Sequence, residues 1–214
     1  MSERYRWRGG DELWVRSGAG HKHQIIIFEP LFEEKNRTRR LMADVMRGLD
    51  HVDIGCTLPD LPGTGESVRD IATVSMADWR SAADAVIASI NPAVTASFRG
   101  GALLTGAGNV WRFAPESGER IVRDLKRTAL ASVSATTLYA GHALAETFLA
   151  ELEGAQLPQP VRLRTIRLDS DAGDADAKMI GTPLWRRAEP GEDSALAVAI
   201  IADLTEWVKL CVAC

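Results

Sequence analysis

The chain has 214 residues, 46% hydrophobic and 25% charged, and 25 Lys and Arg against 29 Asp and Glu give a formal net charge of −4. That length suits one domain spanning 1–214 with a full core, and the acidic balance excludes an obvious nucleic-acid footprint. No run is apolar enough for a membrane span or a signal-peptide core, and Cys56, Cys211 and Cys214 make no disulfide framework, which suits a reducing cytoplasm.

Residues 1–22 are polar and Gly-rich, and Glu12–Arg16 predicts an edge strand. Gln24-Ile25-Ile26-Ile27-Phe28 is β-branched and aromatic throughout, as in a strand buried on both faces of a parallel sheet. After Glu29-Pro30 and a polar loop, Leu41, Val45 and Leu49 at helical spacing predict a helix over 36–49, and Asp53–Leu58 the next strand. Asp60-Leu61-Pro62-Gly63-Thr64-Gly65-Glu66-Ser67 is a Gly/Pro loop with no lysine to complete a phosphate cradle, so no cofactor is implied. A helix over 76–89 follows.

Val94–Phe98 reads as a short buried strand and Arg99–Leu104 as the start of a helix opening on two glycines. Such a strand-turn-helix is a nucleophile elbow, whose tip residue projects over the sheet and whose neighbours two before and two after must be small. With Ser97 at the tip, Arg99 would be too large a neighbour; Phe98 (flanked by Ala96 and Gly100) or Arg99 (flanked by Ser97 and Gly101) fits. The only serine is out of register, which points to an α/β-hydrolase scaffold with a replaced nucleophile.

Beyond the elbow, Asn109–Ala114 predicts a strand, Ser117 caps a helix to about Ser134, and a second helix covers 141–152. Val161–Leu168 alternates apolar and basic residues as an exposed strand would, 170–177 is an acidic loop, and 194 onward is an amphipathic helix burying Leu196, Ile200, Leu204, Trp207 and Val208. The alternation of strands and helices gives an α/β class with a doubly wound, mostly parallel sheet.

Glu29-Pro30-Leu31-Phe32-Glu33-Glu34-Lys35-Asn36-Arg37-Thr38-Arg39-Arg40 resembles the "PPFAEEMNKSRR" segment of the exosortase A system-associated hydrolases, type 2. The elbow is similar to that family's "GLRLGALL", which puts Arg99 at the tip. Trp111–Gly118 resembles "WQPVVSG", Ile180–Trp185 resembles "VxGxPFW", and Asp60–Ser67 resembles the DxxGxGxS loop of α/β-hydrolases at large. The resemblance implies a minimal α/β-hydrolase fold, a bacterial setting and an association with exopolysaccharide and PEP-CTERM protein sorting. Phe98 and Gly100 depart from the family's aliphatic residues, and the C-terminal strands between Leu168 and Met179 read as shortened.

A serine hydrolase of this fold needs Ser, an acid and His in that chain order. The histidines are His21, His23, His51 and His142, none in the last third of the chain, and His142 falls at a predicted helix start. His21 and His23 share a strand face but lack a third ligand, so no metal site is expected. An oxyanion hole would use the Gly100 N–H with that of Leu31 or Phe32, because Pro30 has none. Arginine serves as neither nucleophile nor base.

The leading expectation is a catalytically degenerate binding or accessory protein. Its ligand site comprises Arg99, Gly100, Gly101, Leu31, Phe32, Glu33 and Glu34 and takes a small anion between the guanidinium and the glycine amides. Alternatively, Arg99 pairs internally with Glu29, Glu33, Glu34 or Asp60. The competing expectations are a carboxylic-ester or thioester hydrolase using Ser97 with His142 or His51, and a structural subunit forming a homodimer through its C-terminal helix. Cys211 and Cys214, three residues apart, read as core cysteines rather than ligands, and Trp111, Trp185 and Trp207 as core or oligomer contacts.

Overall fold

The computed structural model describes residues 2–130 and 138–213. Among these residues eight strands form one sheet: β1 (Ser2–Trp7), β2 (Gly10–Ser17), β3 (His23–Phe28), β4 (Ile54–Pro59), β5 (Val94–Phe98), β6 (Asn109–Phe113), β7 (Arg162–Leu168) and β8 (Ala177–Met179). Their spatial order is β1-β2-β4-β3-β5-β6-β7-β8. β2 runs antiparallel to both β1 and β4, and every other pairing is parallel. The chain winds from β3 outward to β4, then returns across β3 to β5, so the order reverses between β3 and β5. A crevice opens at the carboxyl ends of strands flanking such a reversal.

Among the described residues five α-helices cover the two faces. α1 (Glu33–Asp50) and α5 (Ser194–Val212) pack together on one side; α2 (Met76–Ile90), α3 (Gly118–Leu130) and α4 (Glu146–Glu153) lie on the other. The pleat divides β3 accordingly: Ile25 and Ile27 enter the core under α1 and α5, while Ile26 and Phe28 enter the opposite core. Local chemistry fixes the helix ends. Ser75 and Asp78 form a reciprocal capping box at the start of α2, Asn91 closes it in the left-handed conformation (φ 48°), and the Asp193 side chain caps α5.

Several sequence expectations change. The strand expected at the edge, around Glu12–Arg16, is internal, because β1 pairs outside it through a hairpin that turns at Arg8-Gly9. β7 is likewise internal, and only its start is exposed: Ile166 and Leu168 are buried where the short β8 pairs beside them. Residues 141–145 are not helical. Gly141 (φ 81°) and the bridge between Tyr139 and His142 make a turn there, and α4 starts after Ala145. The helix expected to reach Ser134 is described to Leu130, and its remainder lies outside the described residues. Trp207 is only partly buried against the core. Among the described residues no helix is long and apolar enough to cross a membrane.

Candidate functional site

β5 delivers the elbow at the crevice. Phe98 is still extended (φ −120°), and Arg99 takes φ 53°, so Arg99 is the tip. A positive φ on a non-glycine residue is strained, and such strain gathers at functional sites. Two more such residues, Phe32 (φ 55°) after β3 and Ala114 (φ 44°) after β6, stand at the same edge of the sheet. The segment after the tip is a six-residue 3-10 helix, Arg99–Leu104, rather than the α-helix expected. Thr105 Oγ1 donates to the Ala102 carbonyl and the chain leaves in an extended conformation, so the turn does not propagate. The dipole expected to favour an anion is correspondingly short.

Close packing requires glycine at 101, where backbone is in the way, and crowds 100, where only side-chain ends are near. A Cβ on Gly101 would stand 2.4 Å from the Phe28 carbonyl oxygen, and one on Gly100 would stand 2.7 Å from Ile121 Cδ1. Ser97 has none of its surface exposed, and its hydroxyl points at the Trp111 carbonyl oxygen 3.5 Å away.

The Arg99 guanidinium makes four hydrogen bonds and a ring contact. Nε and Nη2 donate to the two oxygens of Glu34, each at 3.1 Å. Nη2 also donates to Glu116 at 3.0 Å, and Nη1 to the Ala114 carbonyl at 3.1 Å. The Trp185 ring lies 4.8 Å below the guanidinium carbon. Burial works against the charge, but the facing carboxylates Glu34 and Glu116 outweigh it, so the Arg99 pKa stands above its ordinary value. Of the carboxylates expected as internal partners, Glu34 is the one that pairs.

Glu29 and Asp60 instead share Lys35, whose Nζ lies 3.1 Å from Glu29 and 2.8 Å from Asp60. Burial pushes the Glu29 carboxyl above the usual carboxylate range, against the pull of Lys35.

Two residues of this constellation were not singled out from the sequence for it. Glu116 follows β6, which neighbours β5, so the strand order itself places a loop carboxylate beside the tip. Trp185 comes from the turn after β8, the region from which this fold's chain order would bring a base. Its indole therefore serves the site rather than only the core.

Two clefts open beside the elbow, separated by Leu31 and Phe32, which line both. The larger, about 480 Å³, has Arg99, Glu34, Glu116 and Trp185 among its lining residues, together with Glu33, Gly100 and several arginines. Six of the seven residues expected at the ligand site line it; Gly101 does not, being packed against the backbone after β3. The smaller, about 210 Å³, holds Glu29, Lys35 and His142. The His142 ring lies tilted against Phe32, with centroids 6.1 Å apart and planes at 52°, but the larger cleft's described lining includes no histidine.

The other histidines lie elsewhere. His21 Nε2 sits 2.7 Å from Asp50, next to the start of β3, and His51 Nδ1 sits 2.6 Å from the Arg47 carbonyl. Among the described residues no group of three potential ligands gathers to hold a metal. Cys211 is partly buried, and Cys214 lies outside the described residues.

No family profile matches the chain, and no curated protein matches it. Solved structures do. Est1E from Butyrivibrio proteoclasticus, bound to ferulic acid, aligns over 97% of this chain and 99% of its own with TM-score 0.62 at 10% identity. Alpha/beta hydrolase domain-containing protein 10 from mouse aligns over 98% of both chains with TM-score 0.66 at 11% identity. A variant of AqdC, described as recognising and cleaving the ring of the Pseudomonas quinolone signal, aligns over 98% of this chain and 99% of its own with TM-score 0.61 at 10% identity. At such identities the likeness is one of fold, and together with the strand order and the elbow it shows that this chain has the α/β-hydrolase fold.

Proposed function

We propose that this chain is a non-hydrolytic ligand-binding protein built on the α/β-hydrolase scaffold, with an accessory role in bacterial exopolysaccharide and exosortase-linked systems. One observation carries the reading: the elbow tip, where a hydrolase of this fold holds its nucleophile, is Arg99, held by Glu34, Glu116, the Ala114 carbonyl and the Trp185 ring. A guanidinium so held neither attacks an acyl carbon nor accepts a proton. The alternative serine, Ser97, is buried in the strand. The cleft above the tip nevertheless remains open at about 480 Å³, a volume suited to a small molecule. The exosortase link is supported by the motif likeness around Glu29–Arg40 and across the elbow. Est1E and AqdC, named for an esterase and for ring cleavage, share the fold; here the cleft persists over a tip with no nucleophile.

The test is hydrolysis of p-nitrophenyl esters and acyl thioesters by the wild type and by Ser97→Ala. Both are expected at the buffer background. Turnover in the wild type that Ser97→Ala abolishes would overturn the reading.

A further inference from the structure

The geometry points to a specific ligand class for this cleft, an inference that rests on the binding reading above: a phosphate monoester whose ester group is apolar or aromatic. Among the described residues six arginines and four carboxylates line the cleft, an excess of two positive charges in a chain whose net charge is −4. The arginines converge from separate elements. Arg120, Arg123 and Arg127 project from one face of α3 at helical spacing, Arg37 comes from α1, and Arg186 from the 3-10 turn Leu184–Arg186 after β8.

Arg99 is not the ligand's partner, because Glu34 and Glu116 already hold it. Arg120 shares Glu116 at 3.2 Å, and Arg127 pairs with Asp124 at 3.1 Å. Arg123 and Arg186 have no carboxylate partner among the described residues. Arg37 donates one N–H to the Trp185 carbonyl at 3.0 Å, and its Nε is buried with no hydrogen-bond partner. That Nε lies out of reach of the cleft, so Arg37 would meet an anion through the N–H groups of its terminal nitrogens.

The charge excess selects the anion. A phosphate monoester carries about −1.5 to −2 near neutral pH and offers three acceptor oxygens to guanidinium forks. A monocarboxylate would neutralise half the excess. Beside these arginines the lining is apolar (Ile121, Leu125 and Trp185), so it covers the ester group while the phosphate meets the arginines.

Calorimetric titration with phenyl phosphate, benzoate and phenol tests this on the wild type and on the double variant Arg123→Ala/Arg186→Ala. Both substituted residues are exposed at the rim, so the fold should tolerate their loss. Phenyl phosphate is expected to bind the wild type, benzoate more weakly and phenol least, and the double variant should lose about tenfold or more of the phenyl phosphate affinity. Three results would each overturn the inference: no phenyl phosphate binding to the wild type, affinity unchanged in the double variant, or phenol binding as well as phenyl phosphate. The last would leave the cleft a binding site for neutral ligands. Ester turnover lost in Ser97→Ala, by contrast, would defeat the non-hydrolytic reading whatever the titrations give.

Discussion

Arg99 and Glu116 are joined twice. The Arg99 guanidinium donates to the Glu116 carboxylate at 3.0 Å, and the Glu116 backbone N–H donates to the Arg99 carbonyl at 3.3 Å. The elbow after β5 and the loop after β6 therefore form one unit, with Glu34 of α1 as its third member. A hydrolase needs its tip residue free to reach a substrate, whereas here the tip ties the elbow and the loop after β6 to the first turn of α1.

Removing the arginine should accordingly cost stability. Arg99→Ala leaves Glu116 buried and Glu34 partly buried without their cation, and about 3 kcal/mol should be lost in urea denaturation. Adding Glu34→Gln and Glu116→Gln should recover much of that loss, because the stranded charges go with it. A loss below about 0.5 kcal/mol would show that the network does not hold the elbow.

Restoring a nucleophile should not restore hydrolysis. Arg99→Ser places a hydroxyl at the tip, but the described lining of the cleft supplies no histidine to take its proton. Ester hydrolysis is expected to stay at background, and a burst of p-nitrophenol release would contradict that.

Gly101→Ala should be severe and Ser97→Ala mild. The new methyl at 101 would meet the Phe28 carbonyl at 2.4 Å, backbone that cannot step aside, and the thermal midpoint should fall by several degrees or the chain fail to fold. Ser97→Ala removes only a long contact of 3.5 Å to the Trp111 carbonyl, and should change stability by less than about 1 kcal/mol.

Glu29 makes a pH prediction. Burial raises its carboxyl above the ordinary glutamate value of about 4.3, so the folded state binds its proton more tightly than the unfolded state. Its contribution to stability is full below that ordinary value and is lost as pH rises through the raised folded value. Glu29→Gln mimics the protonated form, so the stability of the variant relative to the wild type should climb as pH rises from about 4.5 toward neutrality. Parallel pH profiles for the two proteins would contradict this.

The scaffold was legible because β3 and β5 are short and buried, and α1 and α5 carry clean apolar faces, patterns that local periodicity records. β1 is hidden in the sequence although Tyr5 and Trp7 alternate inward, because the charged residues between them mask the period and the tight Arg8-Gly9 turn lies within a polar, Gly-rich stretch. β8, at three residues, is too short for any period to show. At the site, the elbow's steric limits located the tip, and the Glu33-Glu34 pair gave one partner of Arg99. Glu116 and Trp185 escaped because their roles depend on strand order: they are 17 and 86 residues from Arg99 along the chain and meet it only when β6 and β8 take their places in the sheet.

The most direct test of the central claim is intact-mass and peptide-mapping spectrometry after incubation with an excess of a fluorophosphonate, which reacts with activated serines. With Arg99 sealing the elbow and Ser97 buried beneath it, the mass should remain that of the unmodified chain. A stoichiometric adduct mapped to Ser97, lost after heat denaturation before labelling, would show a live nucleophile and contradict the account.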